Sequence, residues 1–286
     1  MTALAENLER LEDQIAAACR LAGRPRAEVE LMAVSKTYPA ATIAEAAGLG
    51  LTLFGENRVQ EFEAKAPELA LLRQPATGSL VSGHDLSRAE NTGVSVLALA
   101  PAVCSSGNRP ALSQFSSSAP NSLRVHLIGH LQSNKAARAA EIFDGVDSLD
   151  SLRLAERLNE AAGRCGKPLP VLLEVKLSPE ETKAGLDPES AEAAALLERL
   201  TGFEHLQVRG LMTIAPWGVA EDVTRACFRG LRGWRDRWAA AYPGLNLDVL
   251  SMGMSGDFAL AIQEGATRIR IGTALFGKRQ PWTGAE

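Results

Sequence analysis

Apolar residues recur at three- and four-residue spacing through Leu4, Leu8, Leu11, Ile15 and Cys19, which predicts an amphipathic helix over residues 2–21. Gly23 and Pro25 end it. The period then changes. Residues 29–35 form a short apolar run closed by Lys36-Thr37-Tyr38-Pro39, and Pro39 suits the first turn of a helix over 40–48. A second strand is expected at 51–55, ending in Glu56-Asn57, before a polar helix from Arg58 to Leu72. Six further strands are predicted at 124–128, 145–148, 170–176, 208–214, 247–251 and 268–271. Helical stretches at 134–143, 151–165, 188–201, 220–242 and 255–263 separate them.

Strands alternating with helices imply parallel βαβ units. Eight short strands, several of them continuous apolar runs, favour a closed barrel over an open sheet. The fold expected is therefore α/β, a single (β/α)8 TIM-type barrel whose extra N-terminal helix covers the bottom. One stretch breaks the alternation. Residues 74–122 are rich in Ser, Ala, Gly and Pro, with Asp85, Arg88, Glu90 and Arg109 as their charges. They form a long loop insertion between the second barrel helix and the third strand, flexible and on the face opposite an active site. Without these 49 residues the chain is 237 long, near the size of about 250 usual for one barrel. Residues 1–286 are thus expected to make one domain, with 74–122 inserted in it.

Composition narrows the function. With 30 Lys+Arg against 34 Asp+Glu the net charge is −4, which leaves no basic excess for bulk nucleic-acid binding. The longest apolar run, 94–103, is half the roughly 20 residues of a membrane helix and contains Pro101. Glu6, Glu9 and Glu12 argue against a signal peptide. Cys19, Cys104, Cys165 and Cys227 lie far apart with no CxxC pair. That spacing fits reduced thiols in the cytoplasm, with neither a disulfide frame nor a metal site.

In such a barrel the chemistry sits at the C-terminal ends of the strands. Those ends hold Lys36, Glu56-Asn57, Gly129-His130, Ser148, Glu174 to Lys176, Met212-Thr213, Ser251 to Gly256, and Arg270 to Phe276. An amine at Lys36, beside an apolar strand, is partly desolvated and so available as a Schiff-base nucleophile. The plain alternative is a lysine snorkelling from a strand end. The segments Ser251-Met252-Gly253-Met254-Ser255-Gly256-Asp257 and Ile271-Gly272-Thr273-Ala274 follow the seventh and eighth strands, where phosphate sites form in this fold. Glycines admit close backbone approach, Ser251, Ser255 and Thr273 add hydroxyls, and a helix starting near Ser255 adds its positive end. Plain turn chemistry, with Ser255 as an N-cap, is the alternative. A strand-one lysine facing such a site points to a phosphorylated aldehyde, pyridoxal 5′-phosphate first among candidates.

Several segments carry a resemblance. Ala33-Val34-Ser35-Lys36-Thr37, Phe54-Gly55-Glu56-Asn57-Arg58-Val59-Gln60-Glu61, the run HLIGHLQSNK at 126–135, SPEETKAG at 178–185, Gly210-Leu211-Met212-Thr213, LSMGMS at 250–255 and RIRIGTALFG at 268–277 resemble the YggS/PROSC family of pyridoxal phosphate homeostasis proteins. The motifs occur in order and span the chain except for 74–122. The resemblance implies a barrel like the N-terminal domain of alanine racemase, with pyridoxal 5′-phosphate as an internal aldimine on Lys36. It implies a carrier or buffer of the cofactor that contributes to vitamin B6 and amino-acid homeostasis, with no accepted catalytic reaction. By the same resemblance Ser251, Gly272 and Thr273 match phosphate-binding positions, as do Ser255 and Gly253. Asn57 and Met212 match positions near the cofactor ring, and Arg270 the arginine facing the pyridine nitrogen. A permanently charged guanidinium there keeps that nitrogen unprotonated and weakens the ring as an electron sink.

Other residues read plainly. Asn57 with Gln60 also fits a capping box. His130 is either a ligand contact or a loop histidine, Lys135 and Lys183 are solvated or hold a second anion, and 144–150 reads as a polar loop. Trp217, Trp234 and Trp238 are expected to pack, Trp217 least firmly. A low-activity racemase is the alternative function. It needs a second acid/base on the opposite ring face, which alanine racemase takes from a tyrosine of a further domain, and here only Tyr38 and Tyr242 occur. A sugar-phosphate aldolase or isomerase is a third class. A monomer that transiently meets pyridoxal phosphate-dependent enzymes is the expected state, with no nucleic acid or membrane among its partners.

Overall fold

The computed structural model describes residues 2–73, 122–177 and 184–277. Eight parallel strands close on themselves in chain order: β1 (Glu30–Val34), β2 (Leu53–Glu56), β3 (Arg124–Leu127), β4 (Gly145–Leu149), β5 (Leu169–Glu174), β6 (Leu206–Met212), β7 (Val249–Ser251) and β8 (Arg268–Ile271). Closure is made by β1 on β8, where Met32 pairs with Arg270 and Ala33 with Ile271. The predicted (β/α)8 barrel is the observed fold.

Helices α2 (Ala40–Gly48), α3 (Val59–Leu69), α4 (Ala136–Ile142), α5 (Leu152–Cys165), α6 (Ala191–Leu200), α7 (Glu221–Ala241) and α8 (Phe258–Gln263) follow the strands, and a single turn, α9 (Thr273–Phe276), follows β8. Their apolar stripes meet the outward-facing residues of the strands. Ile43, Phe54, Phe62, Phe143, Leu158, Phe228 and Ile269 lie fully buried in that layer. Removing this apolar surface from water is the main force that holds helix to sheet.

The N-terminal helix α1 (Ala3–Leu21) departs from expectation. Its buried residues Leu4, Leu11, Ile15, Ala18 and Cys19 pack in the outer layer beside α8 and α9, and Asn7 Nδ2 donates to the Leu275 carbonyl at 2.9 Å. It therefore covers the flank where β8 meets β1, not the bottom. The bottom of the barrel is lined by charge. His126 Nδ1 lies 2.8 Å from Asp147, Asp147 accepts from Arg268 at 3.0 Å, and Arg268 reaches Glu30 at 2.8 Å. Asp147 is thus a buried residue of β4, within the strand expected at 145–148, and the polar-loop reading of 144–150 fails there. The guanidinium of Arg268 and the His126 ring hold its carboxyl below the usual range despite burial, and Arg268 does the same for Glu30.

Strand and helix ends shift by a few residues where turn chemistry overrides periodicity. Pro39 is the N-cap of α2, outside its first turn. The helix expected from Ser255 starts only at Phe258, because Asp257 caps the preceding turn by accepting from the Met254 N–H at 2.6 Å. Helix α3 begins after Arg58 with no side-chain cap, so Asn57 and Gln60 form no capping box. The expected insertion, Cys104 and Lys183 lie outside the described residues, apart from Ser122. Between the described flanks the Leu123 N–H donates to the Leu72 carbonyl at 3.0 Å, which holds residues 72 and 123 together at the start of β3. Among the described residues Cys19 and Cys165 are free thiols, and no helix is long and apolar enough to cross a membrane.

Candidate functional site

The C-terminal ends of the strands surround a cavity of about 750 Å³. Lys36, Asn57, Ser255, Arg270, Gly272 and Thr273 line it, together with Glu174, His130, Tyr38 and Trp217. Ser251, Met212 and Gly253 are buried behind its wall.

Lys36 follows β1 by two residues and is half-buried. The turn that carries it is held by an internal ion network. Lys65 Nζ, on α3, donates to Glu56 at 3.0 Å, to Glu61 at 2.9 Å and to the Ser35 carbonyl at 3.2 Å. Ser35 Oγ donates to Glu56 at 2.7 Å, and the Thr37 N–H donates to Glu61. Burial pushes the Glu56 carboxyl up despite these partners. Thr37 itself sits at φ 69°, a left-handed conformation that costs a β-branched residue about 1–3 kcal/mol. Tyr38 then anchors the outgoing chain, its hydroxyl donating to the Gly277 carbonyl at 2.9 Å. A strained peptide clamped on both sides fixes where the Lys36 side chain starts.

Arg270 forms the floor. It enters from β8, fully buried, and donates to the Ser251 carbonyl at 2.7 Å, to Ser251 Oγ at 2.9 Å and to the Thr213 carbonyl at 2.8 Å. Those acceptors are neutral. Among the described residues no carboxylate reaches salt-bridge distance of it, so its charge stays directed at the cavity. Burial pushes its pKa down, opposed by the charges of Asp147, Glu174 and Asp257. The Ser251 hydroxyl is engaged with Arg270, and Met212 is the register partner of both Glu174 and Ser251 with its side chain fully enclosed.

The two glycine-rich segments meet. Gly253, at φ 92°, turns its carbonyl to accept from the Arg270 N–H at 2.9 Å, and a Cβ there would come 2.5 Å from the Ala261 Cβ. Ser255 Oγ accepts from the Ala274 N–H at 3.3 Å, tying the loop after β7 to the first turn of α9. Backbone N–H groups, hydroxyls and a nearby guanidinium make this corner suited to a phosphate.

Glu174, at the end of β5, was visible in sequence only as one of many strand-end residues. Its side chain is 6% exposed, and its pKa rises from 4.5 to about 7 through burial first and the Asp150 carboxylate second. His130 is paired with Asp150 at 3.1 Å and half in solvent. Trp217, expected to pack, is 84% exposed at the rim. Among the described residues no cluster of His, Cys, Asp and Glu can hold a metal ion.

Residues 6–280 match the model of the alanine racemase N-terminal domain family. A pyridoxal phosphate homeostasis protein of Pseudomonas aeruginosa is 37% identical over 279 residues, covering 98% of this chain and 97% of the relative. The chain belongs to this family. The solved structure of PipY of Synechococcus elongatus, with pyridoxal phosphate bound, is 39% identical with a TM-score of 0.71 and covers 96% of this chain and all of PipY. An alanine racemase of Clostridium difficile shares 14% identity at a TM-score of 0.63 over 97% of this chain and 57% of the racemase, a likeness of fold. Family membership accounts for the sequence motifs that surround the cavity, and the homeostasis proteins are matched along nearly their whole length.

Proposed function

We propose that this chain binds pyridoxal 5′-phosphate in the 750 Å³ cavity and holds it reversibly on Lys36, as a carrier or buffer in vitamin B6 and amino-acid homeostasis. The observation that carries this reading is the convergence of Lys36, Arg270 and the Ser255/Gly272/Thr273 corner on one cavity. The names of the relatives support it, as does the pyridoxal phosphate bound to PipY.

The donor set fits the cofactor. When bound, pyridoxal phosphate supplies an aldehyde for reversible capture by a neutral amine and a phosphate for N–H and hydroxyl donors. Lys36 is the amine, oriented by the clamped Thr37 turn. Ser255, Thr273 and the N–H groups after Gly272 hold the phosphate. Arg270 presents a permanent cation to the ring nitrogen and keeps a proton off it. Asn57 lines the ring, while Met212, Ser251 and Gly253 act from behind the wall by fixing Arg270 and the loop after β7. In this reading residues 1–286 form one domain, a cytoplasmic monomer whose partners are apo-enzymes met transiently.

Mixing the purified protein with pyridoxal phosphate tests the reading. The expected result is a yellow protein with a near-visible absorbance band that is missing in Lys36→Ala. A wild type that stays colourless contradicts it.

A further inference from the structure

Among the described residues, Glu174 is the one buried carboxyl of the cavity wall that the functional reading leaves idle. Its side chain is 94% buried yet opens on the cavity, and among the described residues no hydrogen bond or ion pair engages the carboxyl. A buried carboxylate with no partner is costly, and such a group neutralises itself by binding a proton.

The charged groups around it come from five strands or the turns that follow them. Asp150, after β4, repels the ionised form, whereas Arg270 on β8 and His130 after β3 favour it. His130 is itself tied to Asp150, and Arg270 is shared among Ser251 and Thr213, so neither is committed to Glu174. Lys36 and Lys176 line the same cavity. Strand β5 stands diametrically across the closed barrel from β1, which places Glu174 and Lys36 on opposite walls. A ligand held between them meets both.

We propose that Glu174 is the acid of this pocket: as an anionic ligand enters, its carboxylate takes one proton from solvent, and the new O–H donates a hydrogen bond to an oxygen of that ligand. The incoming negative charge and the further loss of water both favour the neutral form. Its ordinary ionisation is already displaced to about 7, so the protein holds the group at the point where a ligand tips it. The inference rests on the pyridoxal phosphate reading only for the identity of the ligand. Buried acids kept neutral as hydrogen-bond donors are known in other pockets.

Calorimetric titration of the full chain with pyridoxal phosphate at pH 8, in two buffers of different ionisation heat, counts the protons taken up. Protons that belong to Lys36 and the phosphate are common to the wild type and Glu174→Gln, so the difference isolates Glu174. Wild type is expected to take up about one proton more per bound ligand. Equal counts in the two proteins overturn the inference and leave the pyridoxal phosphate reading intact. No binding to wild type overturns both. Infrared difference spectra of the wild type alone keep the test independent of the variant's folding. Binding must bring in a carboxylic-acid carbonyl band, and its absence also overturns the inference.

Discussion

Lys65 places its ammonium 3.0 Å from the Glu56 carboxylate, and both side chains are buried. The same ammonium holds Glu61 and the Ser35 carbonyl, and Glu61 in turn accepts from the Thr37 N–H. One buried cation thus joins α3 to the residues on both sides of Lys36.

Lys65→Met leaves two buried carboxylates without their cation. Removing one partner of a buried pair costs about 3–5 kcal/mol, far more than a surface pair is worth. Chemical denaturation should show that loss, and the Lys36 absorbance should weaken because Thr37 no longer has a reason to stay strained. A Lys65→Met protein with wild-type midpoint and wild-type colour contradicts the clamp.

Glu174 gives the unliganded protein a pH signature. Its folded pKa, about 7, lies above its ordinary 4.5, so its contribution to stability is full below pH 4.5, declines between 4.5 and 7, and is gone above 7. The displacement corresponds to about 3 kcal/mol. Glu30 and Asp147 act in the opposite sense, their contribution being lost as the pH falls. Comparison with Glu174→Gln separates the two: the stability difference between the proteins should change by that amount from pH 4.5 to pH 7.5. A difference that stays flat across this range rules it out.

Gly210 is required by backbone contact. A Cβ there would stand 1.9 Å from the Val249 carbonyl oxygen at φ 154°, where β6 and β7 pair and no flexible side chain can yield. Gly210→Ala should lose at least about 3 kcal/mol or fail to accumulate as folded protein. An unchanged denaturation midpoint would show that the strands can part there without cost.

The meeting of Leu72 and Leu123 bears on residues 74–121. Both ends lie at the start of β3, away from the strand ends that surround the cavity. Replacing 74–121 with a short Gly/Ser linker should therefore leave pyridoxal phosphate affinity unchanged in a soluble protein. Loss of binding in that protein contradicts the assignment of these residues to an insertion.

Much of this was legible in sequence, for physical reasons. Parallel strands buried on both faces read as apolar runs, and the amphipathic helices between them read as a different period, so the barrel and its order were accessible. Strand ends then pointed to Lys36 and Arg270, because the fold gathers those ends around one cavity. What escaped were relations between distant residues. Nothing local distinguishes Lys65, which reads as an ordinary i,i+4 partner of Glu61, from a lysine that reaches Ser35 and Glu56. Glu174 looked no different from the other strand-end carboxylates until its burial and its missing partner were seen. Ser251, Met212 and Gly253 carry motif signals, yet their side chains or backbone serve the wall. Trp217, expected to pack, is 84% exposed at the rim, in the turn between β6 and α7.

In the proposed function Lys36 is the residue that holds the cofactor. Reduction of the pyridoxal phosphate-loaded protein with borohydride, followed by peptide mass mapping, tests it most directly. The expected result is a single pyridoxyl adduct on Lys36, absent from Lys36→Ala. An adduct on Lys65, Lys135 or Lys176 instead, or equal labelling of the Lys36→Ala protein, would contradict it.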